Sequence, residues 1–254
     1  MRITGERVVT PVGGFNPAWQ RHAAEYALAE PVLGPGRVLD LGCGVGHSFH
    51  LLAPRATVGV DVDAAALAGQ RRETVVADMR ALPFPDRSFG SVLSVHSLEH
   101  VPDPERVVAE VARVLEEDGV AVFFTPNRLT FGRPDEIIDP YHHVEFDPEQ
   151  LRALSAREFG AIELRGLFGS ARYMDLHDAE RATLDRLLRR DPLRLRRAVP
   201  VAVRRMLYDH LLRRNRRAGD PRADAITQDD FELRDTDLDA ALDLCAICSS
   251  PGPS

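Results

Sequence analysis

Residues 38–46 read Val-Leu-Asp-Leu-Gly-Cys-Gly-Val-Gly, and fifteen positions later a second apolar run, Val-Gly-Val-Asp at 58–61, ends on an acid. The first run predicts a short buried strand, and the glycines after it allow a tight turn with no Cβ in the way. A ligand can therefore lie directly against the backbone of this turn. Asp61 falls where the neighbouring strand ends, so its two carboxylate oxygens can accept hydrogen bonds from both hydroxyls of a ribose. The pairing predicts a nucleotide-type cofactor at the carboxyl edge of a parallel sheet.

The spacing of the glycines narrows the choice of ligand. Gly42, Gly44 and Gly46 form Gly-x-Gly-x-Gly, whereas the loop that seats a pyrophosphate on a helix N-terminus reads Gly-x-Gly-x-x-Gly. The sequence therefore disfavours a dinucleotide.

Three further motifs follow in order along the chain: Ala-Asp-Met at 77–79, Leu-Pro-Phe-Pro-Asp-Arg-Ser-Phe at 82–89 and Leu-Glu-His at 98–100. With the glycine turn and Asp61, they resemble the class I S-adenosylmethionine (SAM) dependent methyltransferases. The likeness is greatest to the small-molecule branch that includes the ubiquinone and menaquinone methylases, and it extends over residues 36–168. The resemblance implies a SAM site in which Asp61 holds the ribose, Asp78 the adenine amino group and the glycine turn the methionine half.

The resemblance also implies the full set of residues at the cofactor, with SAM as the methyl donor and S-adenosylhomocysteine as the product. These residues lie in the glycine turn and at the ends of three strands: Asp40, Gly42, Cys43, Gly44, Gly46, Asp61, Val62, Asp78, Met79, Ser94 and Val95.

The alternation of strand and helix patterns predicts the fold. Strands are expected at about 37–41, 56–61, 74–78, 90–96 and 119–125, and helices at about 46–53, 63–70 and 103–115. Such alternation is typical of a doubly wound α/β protein, a parallel sheet with helices on both faces. Strands near 161–168 and 240–248 complete a seven-strand, Rossmann-like methyltransferase sheet. We expect residues 1–34 to form an N-terminal helical lid and residues 35–254 the SAM-binding domain, with an arginine-rich helical insert at 171–225 before the last strand.

The predicted lid contains one helix with a distinctive stripe. Asn-Pro at 16–17 predicts its start, because asparagine caps free amides and proline suits the first turn. Trp19, His22 and Tyr26 then lie three to four residues apart on one side of the helix. The stripe either covers the cofactor or packs against the sheet, and the sequence leaves both open.

The bulk properties predict a cytoplasmic enzyme. The 254 residues are enough for one large α/β domain with an insert. No run of about 18 apolar residues occurs, and the N-terminus shows no signal-peptide pattern. Cys245 and Cys248 have the spacing of a redox or zinc motif, but they lie in an apolar strand pattern without a second ligand pair. Packed thiols are therefore expected.

The net charge of −7 conceals a strong asymmetry. Residues 181–217 contain thirteen arginines and three aspartates, which gives +10 for this segment and leaves −17 for the rest. Leucines and valines recur there at helical spacing, which favours a solvated amphipathic helix pair. The alternative is that the arginines attract an anionic substrate, nucleic acid or a membrane. Tyr208 is the single aromatic residue of the segment, so stacking on single-stranded nucleic acid is poorly supported.

Histidines supply the candidate catalytic residues, and His142 and His96 are preferred over His143 as the base. An acceptor hydroxyl must lose a proton, which requires a base within hydrogen-bond reach. His96 ends the fourth strand, where a base and a cofactor-packing residue are equally plausible. His142 and His143 belong to a polar loop, Asp-Pro-Tyr-His-His-Val-Glu at 139–145, in the region where the family varies its acceptor pocket. With Glu145 they could also ligate a metal, but no further ligand spacing supports one, and we expect none.

Missing motifs narrow the acceptor. The Asn-Pro-Pro-Tyr or Asp-Pro-Pro-Tyr clamp of amide- and adenine-modifying relatives is replaced by Ser-Val-His-Ser at 94–97, and the Pro-Cys nucleophile of pyrimidine C5 enzymes does not occur. Glu99 and His100 recur in resembling sequences regardless of substrate, so we interpret them as architectural. Gly90 stands where the family usually has an aspartate, which predicts a local effect on helix and loop anchoring.

The sequence thus predicts SAM-dependent methyl transfer to a small or medium-sized metabolite, on oxygen before nitrogen or carbon. The acceptor can be anionic, nucleic acid is disfavoured as a partner, and the protein is expected to be a monomer or homodimer. Two alternatives remain open. The chain could methylate RNA or protein through its arginine-rich segment, which salt-sensitive retention of nucleic acid would reveal. It could also be a catalytically silent SAM-binding module.

Overall fold

The computed structural model describes residues 16–131, 136–189, 191, 199–217 and 221–252. The helices are α1 (Asn16–Ala29), α2 (Ala64–Leu67), α3 (Pro104–Val114), α4 (Pro148–Ser155), α5 (Ala171–Leu188) and α6 (Val201–Arg217). The strands are β1 (Val38–Leu41), β2 (Thr57–Asp61), β3 (Glu73–Val76), β4 (Phe89–Val95), β5 (Leu115–Pro126), β6 (Phe159–Gly169), β7 (Phe231–Arg234) and β8 (Asp243–Pro251).

One sheet contains all eight described strands, in the order β3-β2-β1-β4-β5-β8-β6-β7. The first five strands in that order are parallel to one another, and β8 lies antiparallel between β5 and β6. The chain order reverses between β1 and β4, and such a reversal opens a ligand crevice outside the carboxyl ends of the strands. The predicted doubly wound α/β class is confirmed, with one strand more than expected, because β7 was not predicted.

The core lies on both faces of the sheet because neighbouring strand residues point in opposite directions. On β1, Leu39 and Leu41 join a cluster with the valines of α3, whereas Val38 joins a second cluster with Tyr26 and Ala29 of α1. The fully buried β1 and β4 have the continuous apolar sequence typical of central parallel strands. This double covering makes their carboxyl ends a rigid platform for the site.

Gly90 allows the chain before β1 to approach β4 closely. A Cβ at this position would lie 1.7 Å from the carbonyl oxygen of Pro35. No larger residue fits without moving that backbone, which accounts for glycine where the family usually has an aspartate.

Two predicted helices are shorter than expected. Of the segment 46–53, Phe49–Leu52 alone is helical, as a 3-10 turn, and 63–70 is reduced to α2. Gly46 has a φ of 65°, which an α-helix excludes, and Ala53 precedes a proline, which disfavours the helical region. Backbone restrictions at both ends of the segment 46–53 therefore leave room for one helical turn.

The predicted insert is represented by α5 and α6. Residues 190 and 192–198 between them, with four of the thirteen arginines, lie outside the described residues, as do residues 1–15 of the predicted lid. A helix able to cross a bilayer is absent from the described part of the chain. Cys245 and Cys248 are buried free thiols, as expected, and Cys43 is a buried free thiol as well.

Candidate functional site

A cavity of about 380 Å³ opens at the carboxyl ends of β1, β2 and β4. Eight of the eleven predicted cofactor residues line it: Gly42, Cys43, Gly44, Asp61, Val62, Asp78, Met79 and Val95. The structure therefore brings together residues that the sequence places up to 53 positions apart, from Gly42 to Val95.

The glycine turn presents open backbone to this cavity. Gly44 has a φ of 52°, and a Cβ added there would meet nothing within 4 Å. Gly42 has a φ of 70°, but a Cβ there would lie 2.4 Å from the side chain of Ser97. Gly42 is therefore required for packing, whereas the space beside Gly44 is free for a ligand to lie against the main chain.

Asp61 is held in place at the end of β2 by two backbone amides. Its Oδ2 accepts a hydrogen bond from the Gly44 amide at 2.9 Å, and its Oδ1 accepts one from the Asp63 amide at 2.8 Å. Each carboxylate oxygen can accept a second hydrogen bond. The contact with Gly44 also ties the carboxylate directly to the glycine turn, so the two halves of the predicted cofactor site form one rigid unit.

The far end of the cavity combines an exposed apolar side chain with an acid. Val62 is 74% exposed, unusual for a valine in a folded domain. Asp78 forms an ion pair with Arg80, Oδ2 to Nη2 at 2.7 Å, and this hydrogen bond holds the pKa of Asp78 below its ordinary value. Asp78 is thus ionised and can accept a hydrogen bond from a ligand amine.

Three predicted cofactor residues lie behind the cavity wall. Asp40 is buried, accepts a hydrogen bond from the Tyr26 hydroxyl at 2.8 Å and lies 2.7 Å from Arg72 Nη1. Gly46 packs on Gln70, and Ser94 Oγ lies 2.6 Å from Ser97 Oγ. These residues support the wall, and the structure does not bring them into contact with the cavity space.

His96 lines the cavity in a strained conformation. Its φ of 48° lies in the left-handed region that a non-glycine residue seldom adopts. The imidazole stacks on His22 with ring centres 4.3 Å apart. Its Nε2 lies 2.9 Å from Glu25 Oε1 and its Nδ1 3.4 Å from Glu99 Oε1. The strain and the contacts together fix the ring at the end of β4.

The charges behind His96 form a buried network. Asp243 lies 3.7 Å from His96 Nε2 and forms an ion pair with Arg21 of α1. Burial would lower the pKa of His96, but Glu25 and Asp243 outweigh it and raise that pKa well above its ordinary value. Burial also raises the pKa of Glu25 to about 7. His96 is therefore cationic at neutral pH, a state in which it cannot accept a proton.

Two other cavity histidines, His22 and His47, differ in charge from His96. Burial lowers the pKa of His22 well below its ordinary value and that of His47 to about 4, so both are neutral at pH 7. The stacked pair of His22 and His96 thus joins a neutral ring to a cationic one.

The structure separates the two histidines of the 139–145 loop. His143 lines the cavity, and it also lines a second cavity of about 520 Å³ with Arg128, Glu136 and Gln150. His142 does not line the first cavity, and its Nδ1 lies 2.9 Å from Glu145 Oε1.

The buried position of His142 determines its charge. Burial would lower its pKa, but the hydrogen bond with Glu145 and the neighbouring carboxylates raise it. His142 is therefore a buried ion-pair partner, which is an unsuitable state for a general base.

Two groups in the described chain have donor atoms close enough to hold an ion, His22 with Glu25 and His96, and Glu99 with His100 and His142. One histidine nitrogen of each group is engaged by a carboxylate, His96 Nε2 by Glu25 and His142 Nδ1 by Glu145. The rings of His22 and His96 are also nearly parallel, at 14°, so their lone pairs do not converge as metal coordination requires. His142, His143 and Glu145, weighed as a metal set from sequence, do not form such a group.

Sequence reasoning missed Arg21, Glu25 and Asp243. Glu25 lies on the predicted stripe of α1, three residues after His22, so helical periodicity could have identified it. Asp243 lies 222 positions from Arg21, and no local signal connects them.

Comparisons with known proteins agree with this geometry. A methyltransferase domain profile matches residues 39–123. A probable SAM-dependent methyltransferase of Mycobacterium tuberculosis is 32% identical over 99% of this chain and 90% of its own length. A fatty-acid O-methyltransferase of Mycolicibacterium smegmatis is 32% identical over 52% of this chain and 49% of its own. The crystal structure of a SAM-dependent methyltransferase from Thermotoga maritima shares the fold, with a TM-score of 0.54 at 22% identity, over 61% of this chain and 79% of that one.

Proposed function

Since the chain belongs to the SAM-dependent methyltransferases, we propose that it methylates an oxygen atom of a small or medium-sized metabolite. The resemblance carried by the glycine turn and the later motifs is confirmed, and SAM is the cofactor. When bound, SAM supplies an electrophilic methyl group. The protein's own residues must bind it, orient the acceptor and receive the proton that the acceptor loses.

The shape and chemistry of the first cavity fit SAM. The open backbone at Gly44 suits the methionine half, which can lie where no side chain intrudes. The carboxylate of Asp61 suits ribose hydroxyls because both of its oxygens are hydrogen-bond acceptors and the residue lines the cavity beside Gly44. The exposed side chain of Val62 and the ionised Asp78 suit the face and the amino group of adenine. We assign these four residues to the cofactor.

The position of His143 carries the proposal for the acceptor. It lines both cavities, so it lies at the junction between the proposed SAM site and a second space large enough for a metabolite. A histidine there can accept the proton of an acceptor hydroxyl. His96 is the weaker candidate because its position among carboxylates keeps it protonated, and His142 lies outside the cavity. We therefore assign proton removal to His143.

One observation favours oxygen over nitrogen. The amino-nitrogen clamp is absent after β4, where Ser94 and Ser97 hydrogen-bond each other instead. The names of relatives do not decide between the two atoms, because the fatty-acid enzyme named above is an O-methyltransferase and a relative from Cereibacter sphaeroides is a phosphatidylethanolamine N-methyltransferase.

Transfer of an isotopically labelled methyl group tests the proposal. The protein and labelled SAM are incubated with panels of hydroxy metabolites, amines and carbon acids, and the NMR shift of the label identifies the methylated atom. O-methyl products are expected. His143→Ala should lower the turnover rate by about 100- to 10,000-fold with SAM affinity unchanged, and should remove the acidic limb of the pH–rate profile. Products methylated exclusively on nitrogen or carbon, or full turnover in His143→Ala, would contradict the proposal.

A further inference from the structure

Helix α6 exposes an apolar stripe to solvent. Val203, Met206 and Leu207 are 40%, 58% and 51% exposed, and they lie three to four residues apart on one face. His210, one turn further on, is exposed as well. An amphipathic helix of a globular domain normally turns this face inward. In α6 the apolar face is turned outward to solvent instead.

The inner face of α6 explains the reversal because it is polar and packs on the 139–145 loop. Tyr208 donates a hydrogen bond to Asp139 Oδ2 at 2.7 Å, and Arg205 Nε donates one to the Pro140 carbonyl at 3.1 Å. The Arg205 guanidinium also lies over the Tyr141 ring, 4.9 Å from its centre. Polar contacts therefore fix the helix with its apolar stripe outward.

The charge of the surrounding sequence indicates what covers the stripe. Residues 181–217 carry +10 against −17 for the rest of the chain. A helix with an apolar face in a strongly basic segment binds in the interface of an anionic bilayer, because its apolar side chains enter among the acyl chains and the positive charge of the segment is attracted to the headgroups. Nucleic acid would match the charge but leave the apolar stripe exposed. Symmetric pairing of two copies would cover the stripe but bring two +10 segments together.

We propose that α6 docks the protein on anionic membrane surfaces through Val203, Met206 and Leu207. The inference is independent of the proposed methyl transfer, because it concerns binding to a lipid surface alone. It places the docked helix close to the 139–145 loop, since α6 packs on Asp139 and Pro140 and the same loop contributes His143 to both cavities.

Co-sedimentation with vesicles tests the proposal. The full chain is mixed with vesicles of phosphatidylcholine alone or of phosphatidylcholine with phosphatidylglycerol, at low and high salt. We expect binding to the anionic vesicles that weakens as salt rises. The double variant Met206→Glu/Leu207→Glu should lower the partition coefficient by at least ~30-fold, because it places two acids where apolar side chains enter the bilayer.

A matched control separates docking from a general effect of charge. Val76 on β3 is 56% exposed. Val76→Glu therefore adds one acid, half the charge of the double variant, at an exposed apolar side chain outside α6, and should lower vesicle binding by no more than about twofold. Circular dichroism of each variant checks that the fold is retained.

Three results would overturn the proposal. The first is that the wild-type chain does not bind anionic vesicles, or binds neutral ones equally well. The second is that the double variant binds vesicles as the wild type does. The third is that the double substitution dissociates an oligomer, or abolishes retention of nucleic acid, without a change in vesicle binding.

Discussion

Glu25 offers a quantitative test of the buried network behind His96. Its side chain is fully buried, and burial raises its pKa from 4.5 to about 7. The folded chain therefore retains a proton that the unfolded chain releases above pH 4.5. The free energy of unfolding must fall as the pH rises through this window, because deprotonation favours the unfolded state.

The size of the effect follows from the width of the pH interval. Each pH unit in which the two states differ by one proton changes the free energy of unfolding by about 1.4 kcal/mol. Between about pH 5 and 6.5 the contribution of Glu25 should therefore be roughly 2 kcal/mol. The raised pKa of His96 acts in the same direction, but its contribution is lost mainly above pH 6.5, where the unfolded histidine has released its proton.

Glu25→Gln isolates this contribution because glutamine keeps the shape of the protonated acid but does not titrate. Urea unfolding followed by circular dichroism, at several pH values from 5 to 6.5, gives the free energy of unfolding for both proteins. The wild type should lose about 2 kcal/mol relative to the variant across this range, with equal slopes against urea. Parallel pH profiles of the two proteins would show that Glu25 is ionised throughout and would contradict the raised pKa that burial gives Glu25.

Two further predictions follow from the site. Gly44→Val should abolish SAM binding in calorimetry while circular dichroism shows a folded protein, because the side chain would occupy the open space that we assign to the methionine half; binding within a few-fold of the wild type would show that the turn holds no ligand. His142→Ala should lower the free energy of unfolding by roughly 3 kcal/mol because it leaves the buried Glu145 without its partner, and unchanged stability in urea would count against the ion pair.

The glycine turn and Asp61 could be predicted from sequence because local geometry determines them. A buried strand followed by closely spaced glycines must turn tightly, and an acid that ends the neighbouring strand must lie at the same edge of the sheet. The structure places both at one cavity, where the Gly44 amide donates to Asp61. Short-range rules were sufficient for this half of the candidate site.

The proton-handling half could not be predicted, since it depends on tertiary contacts. The sequence favoured His142 over its neighbour His143, but the fold buries His142 beside Glu145 and leaves His143 at the cavity. The charge of His96 depends on Asp243, which joins it from the last strand. Sequence spacing carries no information about contacts between residues that lie far apart in the chain.

The missed strand β7 has a different cause. Phe231–Arg234 is four residues long, and its sequence Phe-Glu-Leu-Arg alternates too briefly to be distinguished from a loop. Pairing with Gly166–Gly169 of β6 makes it a strand. Short edge strands of this kind are defined by their partner.

Calorimetric titration of SAM into the wild type and Asp61→Ala tests the central claim most directly. The substitution removes a charged acceptor for both ribose hydroxyls, and we predict a loss of affinity of roughly 30- to 1000-fold, equivalent to about 2 to 4 kcal/mol. Glu73→Gln, which removes one charge from an exposed side chain on β3, should leave the affinity unchanged. Equal affinities of Asp61→Ala and the wild type would contradict the assignment of this cavity to SAM.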